Sequence, residues 1–265
     1  EYSLLRDKSA FAIGTMSLAD FVEFDEEKVA DTFVRFKGQS GKDIKTSYIK
    51  PNVMTLTKEV TSKYPVTDIL GDKRAELNVE LSKYDENEKI WTMWQQGEEK
   101  APALVKACYR SIRRHCKQEL VILDDNNFEQ YVNLPKEIIE KYRAGKIRRA
   151  HFADIVRVEL LYEHGGIWLD STAFLTEQIP QWIIDLDFFV YMVGNVGQRY
   201  SYMQNCFIRA RKGVFLLAAW RAMILDYWMH ENHSFDYFMH QLLFKTLVEN
   251  DERAKKYFDE MSLNL

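Results

Sequence analysis

Glycine and proline are scarce in this chain of 265 residues, which contains 11 glycines and 5 prolines. This scarcity excludes collagen-like repeats and argues against long disordered segments and a loop-rich all-β fold. No GxGxxG, Walker or GxSxG pattern occurs, so the glycine-rich phosphate loops and the hydrolase nucleophile elbow are excluded. The charge of any bound phosphate must therefore be neutralised by side chains and by a cation that they hold.

Cysteines and long apolar runs are also few. The three cysteines show neither CxxC nor zinc-ligand spacing, which is typical of free thiols in a reducing compartment. The most apolar stretch, residues 214–229, is interrupted by Arg221 and Asp226, so no transmembrane helix is expected. The opening residues lack a basic segment followed by an apolar one. We expect a cytoplasmic protein and leave peripheral contact with the inner face of the membrane open.

Charge and aromatic content limit the class of partner. The net charge is −4 and no long basic run occurs, so we expect no nucleic-acid partner. Aromatic residues make up 14% of the chain, a high share that indicates a well-filled core. We also expect part of the aromatic excess, including Trp91, Trp94 and Trp168 on the predicted strands, to form a stacking surface for a ligand.

The chain divides into two regions at about residue 85. Residues 1–85 read as mostly helical, with candidate helices at 21–36, 53–64 and 68–84, and carry no chemistry-bearing cluster. We interpret them as a helical appendage. In residues 86–265, short strands at 89–94, 120–123, 166–170, 188–193 and 206–208 alternate with helices. This alternation predicts an α/β sandwich with a mostly parallel sheet, whose ligands bind at the carboxyl ends of the strands.

The richest segment is HFADIVRVELLYEHGGIWLDST, residues 151–172. On a helix, His151, Asp154 and Arg157 are spaced three apart and lie along one face. A plain surface ion pair between Asp154 and Arg157 explains that spacing equally well. Gly165 suits a left-handed helix cap, and Gly166 allows a sharp reversal into the next strand.

Asp170 ends that strand directly after three apolar residues. A carboxylate at the end of a buried strand is costly unless a cation, a metal or hydrogen-bond donors satisfy it. Because Asp, Ser and Thr are also good capping residues, Asp170-Ser171-Thr172 fits a turn or cap as well. On spacing alone, capping and metal or phosphate binding both remain open.

The segment resembles the signature of the capsular polysaccharide synthesis glycosyltransferases, relatives of enzymes whose sugar-binding region carries a DxD motif. Upstream runs extend the resemblance. Residues 90–97 are similar to the family's first strand and its following glycine. Residues 101–111 resemble the next helix, and residues 123–135 the second strand and its loop. The resemblance covers the chain from about Lys89 to the middle of the last helices.

This resemblance implies a GT-A-like fold that binds a nucleotide-activated sugar. Trp94 and Gly97 match positions near the nucleobase, Asp154 and Arg157 match positions facing the sugar or diphosphate, and Asp170 matches the first DxD acid. Catalysis is assigned to Asp170, Arg157 and Asp154, which would stabilise the leaving nucleotide. The nucleotide-sugar-binding set comprises Trp94, Gly97, His151, Asp154, Arg157, Gly165, Gly166, Asp170, Ser171, Thr172 and Asn205.

The second DxD acid is replaced by Thr172, which leaves the expected Mn²⁺ or Mg²⁺ with a single carboxylate from the motif. Asp170 and His240 are the candidate metal ligands, although a histidine in an apolar helix is also an ordinary core residue. Asp236 is a candidate contact to the acceptor, and the general base if the reaction inverts. Asn205 places an amide at the sugar or fixes a turn.

The implied activity is transfer of a hexose or amino sugar from a nucleoside-diphosphate sugar to a glycan or lipid-linked glycan. The context implied by the family is bacterial capsule or surface polysaccharide synthesis. The missing second acid keeps an alternative open. In that alternative, the fold serves as a non-catalytic module that binds sugar nucleotides or glycans.

Overall fold

The computed structural model describes residues 14–15, 66–71, 88–192 and 203–263. The candidate helices at 21–36 and 53–64 lie outside these residues. The helices are α1 (Val66–Gly71), α2 (Ala103–His115), α3 (Lys136–Arg143), α4 (Arg149–His164), α5 (Gln181–Ile184), α6 (Phe215–His230), α7 (Met239–Asn250) and α8 (Glu252–Leu263). The strands are β1 (Gly14–Thr15), β2 (Ile90–Met93), β3 (Leu120–Leu123), β4 (Gly166–Leu169), β5 (Ala173–Phe174), β6 (Phe188–Met192) and β7 (Met203–Ala210).

Five strands form the central sheet, in the order β3-β2-β4-β7-β6. Strand β2 pairs in parallel with both β3 and β4. Strand β7 pairs antiparallel with β4 on one side and with β6 on the other, so it alone is reversed. The five predicted strands and the mostly parallel sheet are confirmed, and this mixed α/β arrangement is compatible with a GT-A-like domain.

Apolar residues cover both faces of the sheet. Successive side chains of a strand point to opposite faces, so strands that are buried on both sides are apolar at successive positions. Trp91 and Trp168 are cross-strand partners on one face, in the large cluster that includes residues of α4, α6 and α7. Ile90 and Ile167 point to the other face, toward α2 and α5. Because Trp91 and Trp168 are only 2% and 1% exposed, they are core residues. The expectation that they stack on a ligand is wrong.

Two short pieces of the region before residue 85 contact the rest of the molecule. Val66, Ile69 and Leu70 of α1 lie in the same hydrophobic cluster as α6 and α7. Strand β1 pairs antiparallel with β5, a few residues after Asp170. These three side chains of α1 therefore belong to the same core as α6 and α7, although they precede the boundary predicted at residue 85.

Helix α6 contains the most apolar stretch of the chain and is mostly buried within the fold. Its Arg221 forms a two-armed ion pair with Glu159 of α4, at 2.6 and 2.7 Å. Among the described residues, no helix has the length and apolar character needed to cross a membrane. The three cysteines are free thiols, as predicted, with Cys108 and Cys206 buried.

Candidate functional site

Asp170 lies at the carboxyl end of β4, where the strand passes into a tight turn. Its backbone N–H donates to the carbonyl of Cys206 on β7 at 2.9 Å, and its carbonyl accepts from Ala173 at 2.8 Å. The antiparallel pairing of β4 with β7 therefore continues up to Asp170. Its side chain is 29% exposed, so the carboxylate faces solvent at the edge of the sheet.

Arg157 of α4 joins the two acidic side chains of the site. Its Nη1 lies 3.1 Å from Oδ1 of Asp170, and its Nη2 lies 3.0 Å from Oδ1 of Asp154. The guanidinium also donates to the carbonyl of Asn205 and lies over the Trp168 ring, 4.8 Å from its centroid. These contacts hold Arg157 rigidly, with only 6% of its side chain exposed.

Asp154 is a buried, ionised partner of this arginine. Asn205 donates from Nδ2 to Oδ1 of Asp154 at 2.9 Å, and its contact with a sugar remains a prediction. Burial raises the pKa of Asp154, but the positive charge of Arg157 brings it below its ordinary value. A negative charge is thus maintained one helical turn from Arg157.

Only one of the two oxygens of the Asp170 carboxylate makes contacts with other described side chains. Oδ1 accepts from Nε1 of Trp168 at 2.8 Å and faces Arg157. Among the residues that the structure describes, none makes a hydrogen bond or ion pair with Oδ2. The half-buried Ser171 and Thr172 follow directly in the turn. The site thus offers one carboxylate oxygen and two hydroxyl groups at the sheet edge.

A divalent metal fits this site only with help from a substrate. In the described part of the chain, no group of three or more His, Cys, Asp or Glu side chains is arranged to hold a metal ion. Mg²⁺ commonly binds through one or two carboxylates, substrate phosphates and waters instead of an all-protein cage. Asp170 alone meets that requirement for an ion shared with a diphosphate.

His240 occupies the core beneath the site. It is fully buried, and its ring lies 4.2 Å from that of Trp220, centroid to centroid. Burial lowers the pKa of His240 to about 3, with opposing effects from Asp154 and Arg157. The imidazole is therefore neutral. The charged side chains that act on its pKa are those of Asp154 and Arg157, and Asp170 is not among them.

Trp94 and Gly97 form a turn at the carboxyl end of β2, on the same sheet edge as Asp170. The Gly97 N–H donates to the Trp94 carbonyl at 2.8 Å. Gly97 has a φ of 84°, and a Cβ there would lie 3.1 Å from Oδ2 of Asp124. The glycine thus permits close approach of the loop that follows β3. The nucleobase contact of Trp94 and Gly97 remains a prediction.

Gly165 and Gly166 do not lie with the other predicted site residues. Gly165 precedes β4 and Gly166 begins it, whereas Asp170 follows it, so about 13 Å of strand separates Gly166 from Asp170. Their φ values of 71° and 103° reverse the chain between α4 and β4, as predicted. Their contact with the nucleotide sugar remains a prediction.

Sequence reasoning missed Trp168 as a hydrogen-bond donor to Asp170. The signal was present, because residues two apart on a strand project from the same face.

Sequence reasoning also missed the cations near His151. Lys146, Arg148, His151, His233, Ser234, Asp236 and Tyr237 line a pocket of about 250 Å³, called the His151 pocket below. His151 connects this pocket to the site, with Nδ1 lying 3.6 Å from Oδ2 of Asp154.

Comparison with known proteins agrees with the resemblance in the motifs. The family model of the capsular polysaccharide synthesis proteins matches residues 43–264, so the chain belongs to that family. The match begins well before Lys89 and takes in part of the predicted appendage.

Two fungal glycosyltransferases are distantly similar. The O-glycosyltransferase PaGT of Phomopsis amygdali is 28% identical over 163 residues, covering 54% of this chain and 39% of that protein. The glycosyltransferase afumC of Aspergillus fumigatus is 25% identical over 194 residues, covering 65% of this chain and 48% of that protein. The chain thus spans less than half the length of these relatives. Family and relatives together support a glycosyltransferase role.

Proposed function

We propose that this member of the capsular polysaccharide synthesis family is a glycosyltransferase that uses a nucleoside-diphosphate sugar. The observation that carries the proposal is the Asp154–Arg157–Asp170 chain at the carboxyl edge of the sheet. It presents the carboxylate of Asp170 on the same sheet edge as the turn of Trp94 and Gly97. Open α/β sheets bind ligands at this edge.

In the proposed reaction, the bond between the anomeric carbon and the diphosphate oxygen breaks, and its electron pair stays with the diphosphate. A bond forms from the anomeric carbon to an acceptor oxygen, and the acceptor hydroxyl loses its proton. Mn²⁺ or Mg²⁺ held by Asp170 would offset the charge that develops on the leaving diphosphate. We assign to Asp154 and Asn205 the orientation of the sugar hydroxyls.

The donor is proposed to carry a hexose or amino sugar, and the acceptor to be a glycan or lipid-linked glycan. The name of the O-glycosyltransferase PaGT supports an oxygen nucleophile. An inverting reaction requires a base for the acceptor proton, and Asp236 in the His151 pocket is the proposed group. A role in bacterial capsule synthesis draws support from the family alone, since both relatives are fungal.

The proposal is tested by measuring the release of nucleoside diphosphate from UDP- and GDP-sugars, with and without Mn²⁺. We expect metal-dependent release that falls by about 100-fold or more in Asp170→Asn. The matched control is Asp185→Asn, which removes an exposed carboxylate at the end of α5 and should leave the rate unchanged.

The alternative, a binding module without catalysis, gives a different result in the same samples. It predicts calorimetric binding of the nucleotide sugar with no turnover in the wild type or in either variant. That outcome would reject the proposed catalytic activity and support the proposed binding of a nucleotide sugar. Absence of binding to every nucleotide sugar would reject both proposals.

A further inference from the structure

The amino end of α4 opens into the His151 pocket without a side chain to cap it. Arg148 is the N-cap residue, and its side chain makes no capping hydrogen bond. The first intrahelical bond runs from the Phe152 N–H to the Arg148 carbonyl, at 2.9 Å. The preceding N–H groups, with the positive end of a 16-residue helix dipole, favour an anion here.

A buried polar atom points to a ligand in the same place. His151 is 3% exposed and lines the pocket, yet its Nδ1 has no hydrogen-bond partner within the described residues. A buried nitrogen without a partner is costly. Its carboxylate neighbour, Asp154, lies beyond hydrogen-bond distance at 3.6 Å. The imidazole of His151 therefore lies between the pocket that it lines and the carboxylate of Asp154.

Two cations border the pocket with their charges uncompensated. The side chains of Lys146 and Arg148 are exposed, and neither forms an ion pair with a carboxylate of the described residues. His233 and Ser234 add further donors. Asp236 also lines the pocket, but its Oδ1 already accepts from the Phe238 N–H at 2.8 Å. The positive groups therefore predominate at the rim.

The pocket lies beside the proposed donor site and does not coincide with it. His151 and Arg157 are six residues apart on α4, a rise of about 9 Å along the helix axis. The side chain of Asp154 lies between them and contacts both. A sugar bound at Asp154 would thus have the donor diphosphate on the Asp170 side and the His151 pocket on the other.

We infer that the His151 pocket binds a phosphate group of the acceptor substrate, separate from the diphosphate of the donor. This inference rests on the proposed function for the identity of the acceptor, and on the pocket alone for the anion. Arg148 and Lys146 would pair with the phosphate, and the unbonded N–H groups at the amino end of α4 would donate to its oxygens. Tyr237, 69% exposed beside the pocket, would cover the group attached to it.

The test uses inorganic phosphate and phenyl phosphate as probes and UDP with Mn²⁺ as the donor mimic. Titration calorimetry should show phosphate binding both without UDP and with UDP at saturation. The double variant Lys146→Gln/Arg148→Gln should weaken phosphate binding by about tenfold or more and leave UDP affinity within about twofold. The control Lys100→Gln/Lys117→Gln removes two exposed charges elsewhere and should behave as the wild type.

The NMR signals of the His151 ring provide a second readout, and they should shift when phosphate is added to the wild type. Displacement of phosphate by UDP would overturn the inference, because the pocket would then hold the donor phosphates. Unchanged phosphate binding in the Lys146/Arg148 variant, or no binding at millimolar phosphate, would overturn it as well. Phosphate binding without turnover of any nucleotide sugar would count against the proposed function alone.

Discussion

At the scale of single residues, Arg157 connects the two acidic side chains of the site. Its contact with the sugar or the diphosphate remains a prediction, and within the protein its guanidinium contacts Ala153, Asp154, Asp170, Asn205 and the Trp168 ring. A buried arginine between two carboxylates offsets the desolvation of all three groups. Its direct effect is therefore to fix the position of Asp170.

His240 adds a second buried titratable group close to that ion pair. Its burial lowers its pKa to about 3, so the unfolded chain takes up a proton at a higher pH than the folded protein does. Stability from this group is present above the unfolded pKa of about 6.5 and is lost as the pH falls toward the folded pKa.

We predict that His240→Gln flattens the pH dependence of stability. Between pH 6.5 and pH 4.5, the free energy of unfolding of the wild type should fall by about 2 kcal/mol more than that of the variant. Urea unfolding at pH 6.5, 5.5 and 4.5 measures the difference. The exposed His230→Gln is the control and should follow the wild-type profile; parallel profiles for the wild type and His240→Gln would refute the prediction.

At the scale of elements, the junction of α4 and β4 determines where Asp170 lies. The helix ends at Gly165, whose N–H donates to the Leu161 carbonyl at 2.9 Å, and the strand begins at the next residue. Trp91 secures the junction by donating from Nε1 to the Gly165 carbonyl at 2.9 Å. A Cβ on Gly166 would lie 2.4 Å from the Lys89 carbonyl oxygen, so β2 can pair with β4 only beside a glycine.

We predict that Gly166→Ala costs about 3 kcal/mol of stability or more, from the positive φ and the backbone clash together. Gly145→Ala is the matched control, because Gly145 has a similar φ of 73° and open space around its Cβ position. It should cost only about 1 kcal/mol. Chemical unfolding curves of the two variants measure these values, and equal losses would show that the close approach of β2 and β4 contributes nothing.

At the scale of the whole molecule, α1, which precedes residue 85, shares its core with the domain that follows. Leu70 is 3% exposed within the cluster that contains Trp220 and Trp228. The family match from residue 43 is consistent with this sharing, because the family pattern includes α1. The domain therefore depends on residues that lie far from the sheet in sequence.

We predict that Leu70→Ala lowers the stability of the whole domain by about 3 kcal/mol, in a single transition. The buried tryptophans report the unfolding of the sheet domain by fluorescence. An independent appendage would leave that transition unchanged. Met229→Ala, which truncates an exposed apolar side chain, is the control and should change the midpoint little.

The sequence alone was enough to predict the five strands, the mostly parallel sheet that they form, and the family. Local patterns determine these features: apolar runs of strand length, glycines at reversals, and a linked series of motifs. It also placed Asp154, Arg157 and Asp170 together, because one helix and the strand after it carry all three.

Only the tertiary structure decided which groups these side chains contact. The partners of Arg157 come from β4 and β7, the His151 pocket joins α4 to the segment between α6 and α7, and α1 enters the core from a distant part of the chain. Such contacts depend on packing between segments far apart in sequence, and no local pattern encodes them. The scarcity of glycine in the sequence already excluded glycine-rich phosphate loops. Only the folded structure showed that Lys146 and Arg148 lie together at the His151 pocket.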